Sequence, residues 1–77
     1  MKIKIKFSAI LTLPGVTSGS EIEIKDGSTI TELLTLYQIK ETQHHYIISF
    51  VNGRNQRLSY TLCNGDSLNL LLPAGGG

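Results

Sequence analysis

The residues of this 77-residue chain that could do chemistry lie at its C-terminal end, where Gly75, Gly76 and Gly77 follow one another. Three glycines carry no side chains, and glycine loses more backbone entropy on ordering than any other residue type. Such a segment can enter a passage too narrow for side chains and present a carboxylate at its end. An α-carboxyl group has a pKa of about 3.3–3.7 and is ionised at neutral pH. An ionised carboxylate such as that of Gly77 is a competent nucleophile toward an activated phosphate and a poor electrophile.

Cys63 and a histidine pair are the other residues whose types could support chemistry. Cys63 is the single cysteine and stands beside a turn without a pairing partner, so we interpret it as a small structural residue. His44 and His45 are adjacent and lack further ligands at metal-binding spacing, which is typical of solvated loop residues. The sequence shows no paired carboxylates, nucleophile triad or phosphate-binding loop. We therefore assign no catalytic or metal-ligating residue.

Length and charge limit the classes of partner. The chain has room for one domain, and its 40% hydrophobic and 17% charged residues predict that it is globular. The net charge of +1 lacks the basic excess that nucleic acid or an anionic membrane surface calls for. One cysteine cannot form an internal disulfide, and no stretch reaches the roughly 20 apolar residues of a membrane span. We therefore expect a cytoplasmic protein, a monomer on its own, without nucleic-acid or membrane partners.

Hydrophobic periodicity predicts the strands that position the glycine segment. Polar and apolar residues alternate in the first two strands, which pair antiparallel with lysines opposite glutamates. The third strand is a β-branched and aromatic run that ends at the tight turn Asn52-Gly53. A short edge strand precedes the final strand, which leads into the glycines. The strands expected are, in order, Lys2–Phe7, 21–25, 46–51, 56–58 and 67–72.

One helix is predicted between the second and third strands. Thr29 and Glu32 have the spacing of a capping box, and the apolar residues after them follow helical spacing. We expect this helix to run over 30–39, with Lys40 in its last turn at the negative end of the helix dipole. Residues 41–44 are expected to form a polar connection.

Packing one helix on one face of a mixed sheet buries all the apolar stripes at once. A crossover helix also lets the first and last strands lie parallel at the centre of the sheet. The sequence therefore predicts an α+β protein of the β-grasp, or ubiquitin-like, architecture, with four to five strands and one helix. We expect residues 1–72 to form this domain and residues 73–77 to form a flexible glycine-rich tail.

Four segments carry a resemblance to a known family. They are a first strand at 2–9, a helix start at 26–34, a central turn at 51–54, and a turn at 62–66 that leads into the last strand and a terminal diglycine. Together they resemble the small β-grasp sulfur carriers, which include the small subunit of molybdopterin synthase and the thiamine-pathway sulfur carrier. Ser8, Leu72 and Ala74 depart from the pattern, because many molybdopterin-type members have an aromatic, a proline and a bulkier residue there. These departures leave the pathway open.

The resemblance implies that the chain is a protein cosubstrate and not an enzyme. An adenylating enzyme of the ubiquitin-activating type would join the Gly77 carboxylate to AMP from ATP, with Gly75 and Gly76 threading its active site. A sulfur donor would convert the acyl-adenylate to a thiocarboxylate. An acceptor enzyme such as a synthase large subunit would then use the sulfur for molybdopterin, thiamine or a related product. ATP and magnesium would belong to the partner, so we expect this chain to bind no cofactor itself.

The domain must supply most of the partner affinity. Ordering three glycines costs about 3–6 kcal/mol, and their bare surface offsets little of that cost. We expect the interface on the outer face of the sheet near the exit of the tail, with Leu71 as an apolar anchor and Lys6 and Ser8 around it. Leu71 can serve as this anchor only if neighbouring side chains leave it uncovered.

Two other functions share parts of this pattern. A ubiquitin-like modifier would use the same activation but would join Gly77 to a lysine of a target protein. A β-grasp binding module would carry an inert tail. Branched conjugates would distinguish the modifier, and unchanged function after deletion of residues 75–77 would distinguish the binding module.

Overall fold

The structure is a computed structural model that describes residues 1–8, 11 and 13–72. Within these residues the chain forms β1 (Lys2–Phe7), β2 (Ser20–Glu23), α1 (Ile30–Leu36), α2 (Glu41–His44), β3 (Ile48–Val51), β4 (Arg54–Gln56) and β5 (Ser67–Leu71). The predicted α+β class and the order of the strands are confirmed. The tail expected at 73–77 lies outside the described residues.

The strands form one mixed sheet in the order β2-β1-β5-β3-β4. β1 and β5 lie parallel in the middle of the sheet, and the other neighbouring pairs are antiparallel. Ile5 lies opposite Leu68, and Phe7 lies opposite Leu70. Parallel neighbours cannot be joined by a tight turn, so the chain between β1 and β5 contains both helices and every other strand. This is the predicted β-grasp arrangement.

The core lies between α1 and one face of the sheet. Every second residue of β1 and β5 points toward it, and α1 contributes the residues that share one helical face. The loop before β2 and the segments flanking α2 and β5 add further apolar side chains. The buried apolar residues are Ile3, Ile5, Leu11, Leu13, Ile24, Ile30, Leu33, Leu34, Ile39, Ile47, Val51, Leu62, Leu68 and Leu70.

The start of α1 is held by the predicted capping box. The Glu32 backbone N–H donates to Thr29 Oγ1 at 3.1 Å, and the Thr29 N–H donates to Glu32 Oε1 at 3.0 Å. Two N–H groups that have no partner within the helix are thereby satisfied. This part of the prediction is confirmed, because it depends on residues only three positions apart.

The end of α1 differs from the prediction, because the helix stops at Leu36 and not at residue 39. Gln38 adopts a left-handed conformation with φ of 62°. Its N–H donates to the Thr35 carbonyl at 3.0 Å, and the Ile39 N–H donates to the Leu34 carbonyl at 2.9 Å. These two bonds form a Schellman motif, which ends a helix while bringing Ile39 back onto the core beside Leu34.

The connection after α1 also differs from the prediction. Residues Glu41–His44 form a one-turn helix, and Lys40 stands at its N-cap position and not in the last turn of α1. The His44 ring Nε2 lies 3.0 Å from the Ile39 carbonyl and donates to it in the tautomer that carries the Nε2 proton. The short helix therefore closes back on the end of α1.

Strands β3 and β4 begin at other residues than predicted. The N–H groups of Tyr46 and Ile47 close the turns after α2, so β3 begins only at Ile48. Asn52 and Gly53 take φ values of 53° and 83°, which places Arg54 directly opposite Val51 and starts β4 there. Residue 58, where β4 was predicted to end, has its carbonyl bonded to the start of α1.

The Schellman motif at the end of α1 predicts that Gln38→Gly stabilises the protein. A side chain is disfavoured in the left-handed region, and glycine is the residue best suited to this position. We expect the free energy of unfolding in urea to rise by about 0.5–1 kcal/mol. Gln43→Gly is the matched control, because Gln43 lies inside α2 and the change should lower stability by up to about 1 kcal/mol. Equal effects of the two changes would contradict this account of the helix end.

Candidate functional site: the outer sheet face and the end of strand β5

The predicted reactive residues follow the central strand in the sequence, after Leu72, Pro73 and Ala74. β5 lies between β1 and β3, and it ends at Leu71, two residues before the predicted tail at 73–77. Gly75, Gly76 and Gly77 lie outside the described residues, so the predicted attachment site stays a prediction. The structure shows the hydrogen bonds that hold β5 and the residue after it, Leu72.

The start of β5 is held by a buried carboxylate. Asp66 is 7% exposed, and its Oδ1 accepts from Asn52 Nδ2 at 2.9 Å while its Oδ2 accepts from the Cys63 N–H at 2.8 Å. The Asn52 Oδ1 in turn accepts from the Ser67 N–H at 3.0 Å. These bonds tie the β3–β4 turn to the first residue of β5. Asn52 was predicted only as a turn residue, and this second role depends on a residue fourteen positions away.

The end of β5 is held by Ser8. The Ser8 N–H donates to the Leu70 carbonyl at 3.1 Å, and Ser8 Oγ accepts from the Leu72 N–H at 3.2 Å. Ser8 is half-buried, and its hydroxyl is bonded to the backbone of the neighbouring strand. The predicted interface residue Ser8 therefore lies beside Leu71 as expected, with its hydroxyl engaged within the domain.

The outer face of the sheet carries an apolar area beside the end of β5. Lys6 lies opposite Asn69 across one strand pair, and Phe50 lies opposite Asn69 across the next. Leu71 lies opposite Ile48, whose side chain is 38% exposed. Leu71 and Phe50 are half-buried, so neighbouring side chains cover Leu71 in part and leave the rest accessible. We call this set of five residues, Lys6, Ile48, Phe50, Asn69 and Leu71, the outer apolar face.

A shallow depression of about 540 Å³ crosses this face. Lys6 and Leu71 both line it, and it extends to the Asn52-Gly53 turn. The residues that line it include no carboxylate, so Lys6 gives it a positive charge. The structure thus brings two of the three predicted interface residues, Lys6 and Leu71, to one concave surface.

The predicted pairing of lysines with glutamates on β1 and β2 is only partly seen. Lys2 lies opposite Glu23, and Lys4 lies opposite Glu21, which confirms the register. In this hairpin no lysine and glutamate come close enough for a salt bridge. Within the described residues the N-terminal ammonium of Met1 instead contacts Asp26 at 3.0 Å.

The other candidate residues lie away from the outer apolar face. Cys63 is exposed, and it lies near the start of β5, at the opposite end of that strand from the tail. His44 and His45 line a separate cavity at the edge of the sheet together with Arg57. Among the described residues no cluster of three or more potential metal ligands is found. Partial burial raises the pKa of the Tyr60 phenol, and Asp66 and Cys63 raise it further, so this phenol stays neutral at physiological pH.

Sequence reasoning missed Ile48 and Phe50 as members of the site. The sequence of β3 gives no signal for this assignment, because its single polar residue, Ser49, is 2% exposed and faces the core. The Ser49 hydroxyl is satisfied by the Gln56 carbonyl on β4. Because side chains alternate along a strand, a buried Ser49 places Ile48 and Phe50 on the outer face. The apolar run alone does not show which face is which.

The fold defines a class of protein, the small ubiquitin-like β-grasp domains. The sequence model of the ThiS family matches residues 7–77, and the chain belongs to that family. Family membership makes it a ubiquitin-like sulfur carrier in general, a class of small proteins that interact with adenylating enzymes. The resemblance stated from the sequence is thereby confirmed.

A solved structure supports the fold independently. The chain is similar to SAMP1 from Haloferax volcanii, whose crystal structure matches with a TM-score of 0.68 over 100% of both chains. The sequence identity is 18%, so this match concerns the fold. None of the curated proteins compared with the chain matches it significantly. In the described part of the chain, neither helix has the length and apolar character needed to span a membrane.

The bonds around Asp66 predict that Asp66→Ala destabilises the domain. The change leaves the Asn52 amide and the Cys63 N–H without their acceptor, which should lower the free energy of unfolding by about 1–3 kcal/mol. Asp26→Ala is the matched control, because its carboxylate is 90% exposed and bonded to the N-terminus. The control should lose at most about 1 kcal/mol. Urea unfolding of both variants measures the difference, and equal losses would show that Asp66 does not hold β5.

Proposed function

We propose that this chain is a sulfur carrier that is charged at the carboxylate of Gly77. The observation that supports this most directly is that the central strand β5 ends at Leu71, beside the outer apolar face. In the sequence the three glycines follow after Leu72, Pro73 and Ala74. Membership of the ThiS family supports the general class. The body of the domain presents the tail, and the partner enzyme supplies ATP, magnesium and the catalytic groups.

The chemistry proceeds in two steps at one carbon atom. A carboxylate oxygen of Gly77 attacks the α-phosphorus of ATP, a C–O–P linkage forms, and pyrophosphate leaves. A sulfur donor at the oxidation level of hydrosulfide then attacks the carbonyl carbon, a C–S bond forms, and AMP leaves with its oxygen. The product is a thiocarboxylate, and no electrons are gained or lost in either step. When this sulfur passes to an acceptor, the C–S bond breaks and water supplies the oxygen that replaces sulfur on the carbonyl carbon, which returns the carboxylate.

The residue types of the segment suit these steps. A glycine-only segment fits a narrow channel, and no side chain shields the carbonyl carbon from the incoming sulfur. The cost of ordering this segment, about 1–2 kcal/mol per residue, must be met elsewhere in the complex. The outer apolar face supplies the surface for this, with Leu71, Phe50 and Ile48 as apolar contacts and Lys6 as a charged contact at its border.

Charging of Gly77 predicts a change in the mass of the intact chain. Incubation with an adenylating enzyme of the ubiquitin-activating type, ATP, magnesium and sulfide should replace one oxygen atom by sulfur, as measured by intact mass spectrometry. A chain extended by one alanine after Gly77 should show no replacement, because its carboxylate no longer lies at the reaction centre. A mass that never changes, or an extended chain that is charged as well as the original, would exclude the proposal. Branched conjugates on lysine side chains, with no thiocarboxylate, would instead assign the chain as a protein modifier.

The outer apolar face predicts that Leu71→Ala weakens recognition by the adenylating enzyme. We expect KM for the chain in pyrophosphate release to rise about tenfold while kcat changes little, because a central apolar contact is lost. Leu36→Ala is the matched control, since Leu36 is 65% exposed on α1, on the other side of the sheet. Urea midpoints of both variants show whether either change unfolds the domain. A KM increase in Leu36→Ala equal to that in Leu71→Ala would remove the outer apolar face from the proposal.

A further inference from the structure

Two serine hydroxyls make the last hydrogen bonds of β1 at its C-terminal end, which lies beside the C-terminal end of β5. On the β2 side, the Phe7 N–H donates to Ser18 Oγ at 2.9 Å, and the Ser18 hydroxyl donates to the Phe7 carbonyl at 3.2 Å. On the β5 side, the Leu72 N–H donates to Ser8 Oγ at 3.2 Å. At the end of β1, serine side chains therefore make hydrogen bonds to the backbone on both the β2 side and the β5 side.

The bond from Leu72 departs from the regular pattern of a parallel pair. The Ser8 N–H already donates to the Leu70 carbonyl, so the next bond of the ladder would run from the Leu72 N–H to the Ser8 carbonyl. The Leu72 N–H is instead bonded to the Ser8 hydroxyl. The backbone of Leu72 is thus held to β1 by a side chain with one rotatable bond, one residue beyond the end of β5.

Leu72 provides the last backbone donor before a proline in the sequence. Pro73 has no N–H and cannot add a further bond of this kind, so the Leu72 bond is the final one available to extend the pairing directly from β5. It also links residues 64 positions apart, one from each end of the chain. Whatever orients the backbone at Leu72 orients the start of the segment that leads to Gly77.

We propose that Ser8 is a positioning residue that holds the backbone of Leu72 and so sets the direction in which the tail leaves the sheet. The proposal rests on the proposed function, in which a partner enzyme must receive the tail and the outer apolar face together. Because the backbone of Leu72 is already held in place, less of the chain has to be ordered when the partner enzyme binds. This lowers KM and leaves kcat unchanged. Ser8 acts through Leu72 and does not contact the reacting atoms.

Amide hydrogen exchange in the free protein tests the first half of the proposal. Ser8→Ala removes the acceptor, so the Leu72 amide should exchange about two- to tenfold faster while the Leu70 amide is unchanged. Ser8→Thr keeps a hydroxyl and should restore slow exchange. Unchanged exchange of Leu72 in Ser8→Ala would overturn the proposal, and this measurement needs no partner enzyme.

Kinetics with the adenylating enzyme test the second half. Ser8→Ala should raise KM for the chain about two- to tenfold with kcat little changed, and Ser8→Thr should restore the original KM. Ser18→Ala is the matched control, because it loosens the same end of β1 without touching Leu72. Equal KM increases for Ser8→Ala and Ser18→Ala, or faster exchange without a KM increase, would overturn the positioning role. If the unaltered chain releases no pyrophosphate at all, the proposed function fails, and the positioning role fails with it for a separate and recognisable reason.

Discussion

The parallel pairing of β1 with β5 is the constraint on which the rest of this structure depends. A parallel pair requires a long crossover, so every other element is placed on the connection between its two strands. The same pairing sets Ile5 against Leu68 at the base of the core, where the apolar face of α1 covers them. It also places the C-terminal ends of both strands side by side at the same end of the sheet. Ser8 and Leu72 meet for that reason alone.

The central position of β5 means that this strand is held at its start and along both of its sides. Its start is tied to the β3–β4 turn through Asp66 and Asn52, and its sides are paired with β1 and β3. A strand bonded on both sides stays firmly part of the core up to its last residue. In the proposed function, the glycine segment contributes the reactive carboxylate and the outer apolar face contributes the surface for a partner. Neither part would be sufficient alone, because bare glycines bind weakly and the domain body offers no reactive group of its own in this proposal.

Several features that depend on residues close together in the chain were predicted correctly, and several that depend on distant residues were not. The capping box of Thr29 and Glu32 was predicted because both partners lie within one turn of helix. The end of α1 was not, because Gln38 takes a left-handed conformation for which the sequence offers no glycine. Burial of Ile39 against the core stabilises that conformation. In β3, the apolar run predicted a strand but not its faces, since Ser49 is buried through a bond to the neighbouring strand.

The sequence by itself determined the fold class, the order of the strands along the chain and the family, and it predicts which residues are reactive. Alternation, helical spacing, turn residues and a glycine run are local features, and each constrains the backbone or the chemistry of its own segment. Only the tertiary structure decided which side chains share the outer face, that Asp66 and Asn52 hold the start of β5, and that Ser8 bonds to Leu72. The physical reason is that these contacts join residues distant in the chain, and strand pairing and core packing set their geometry together.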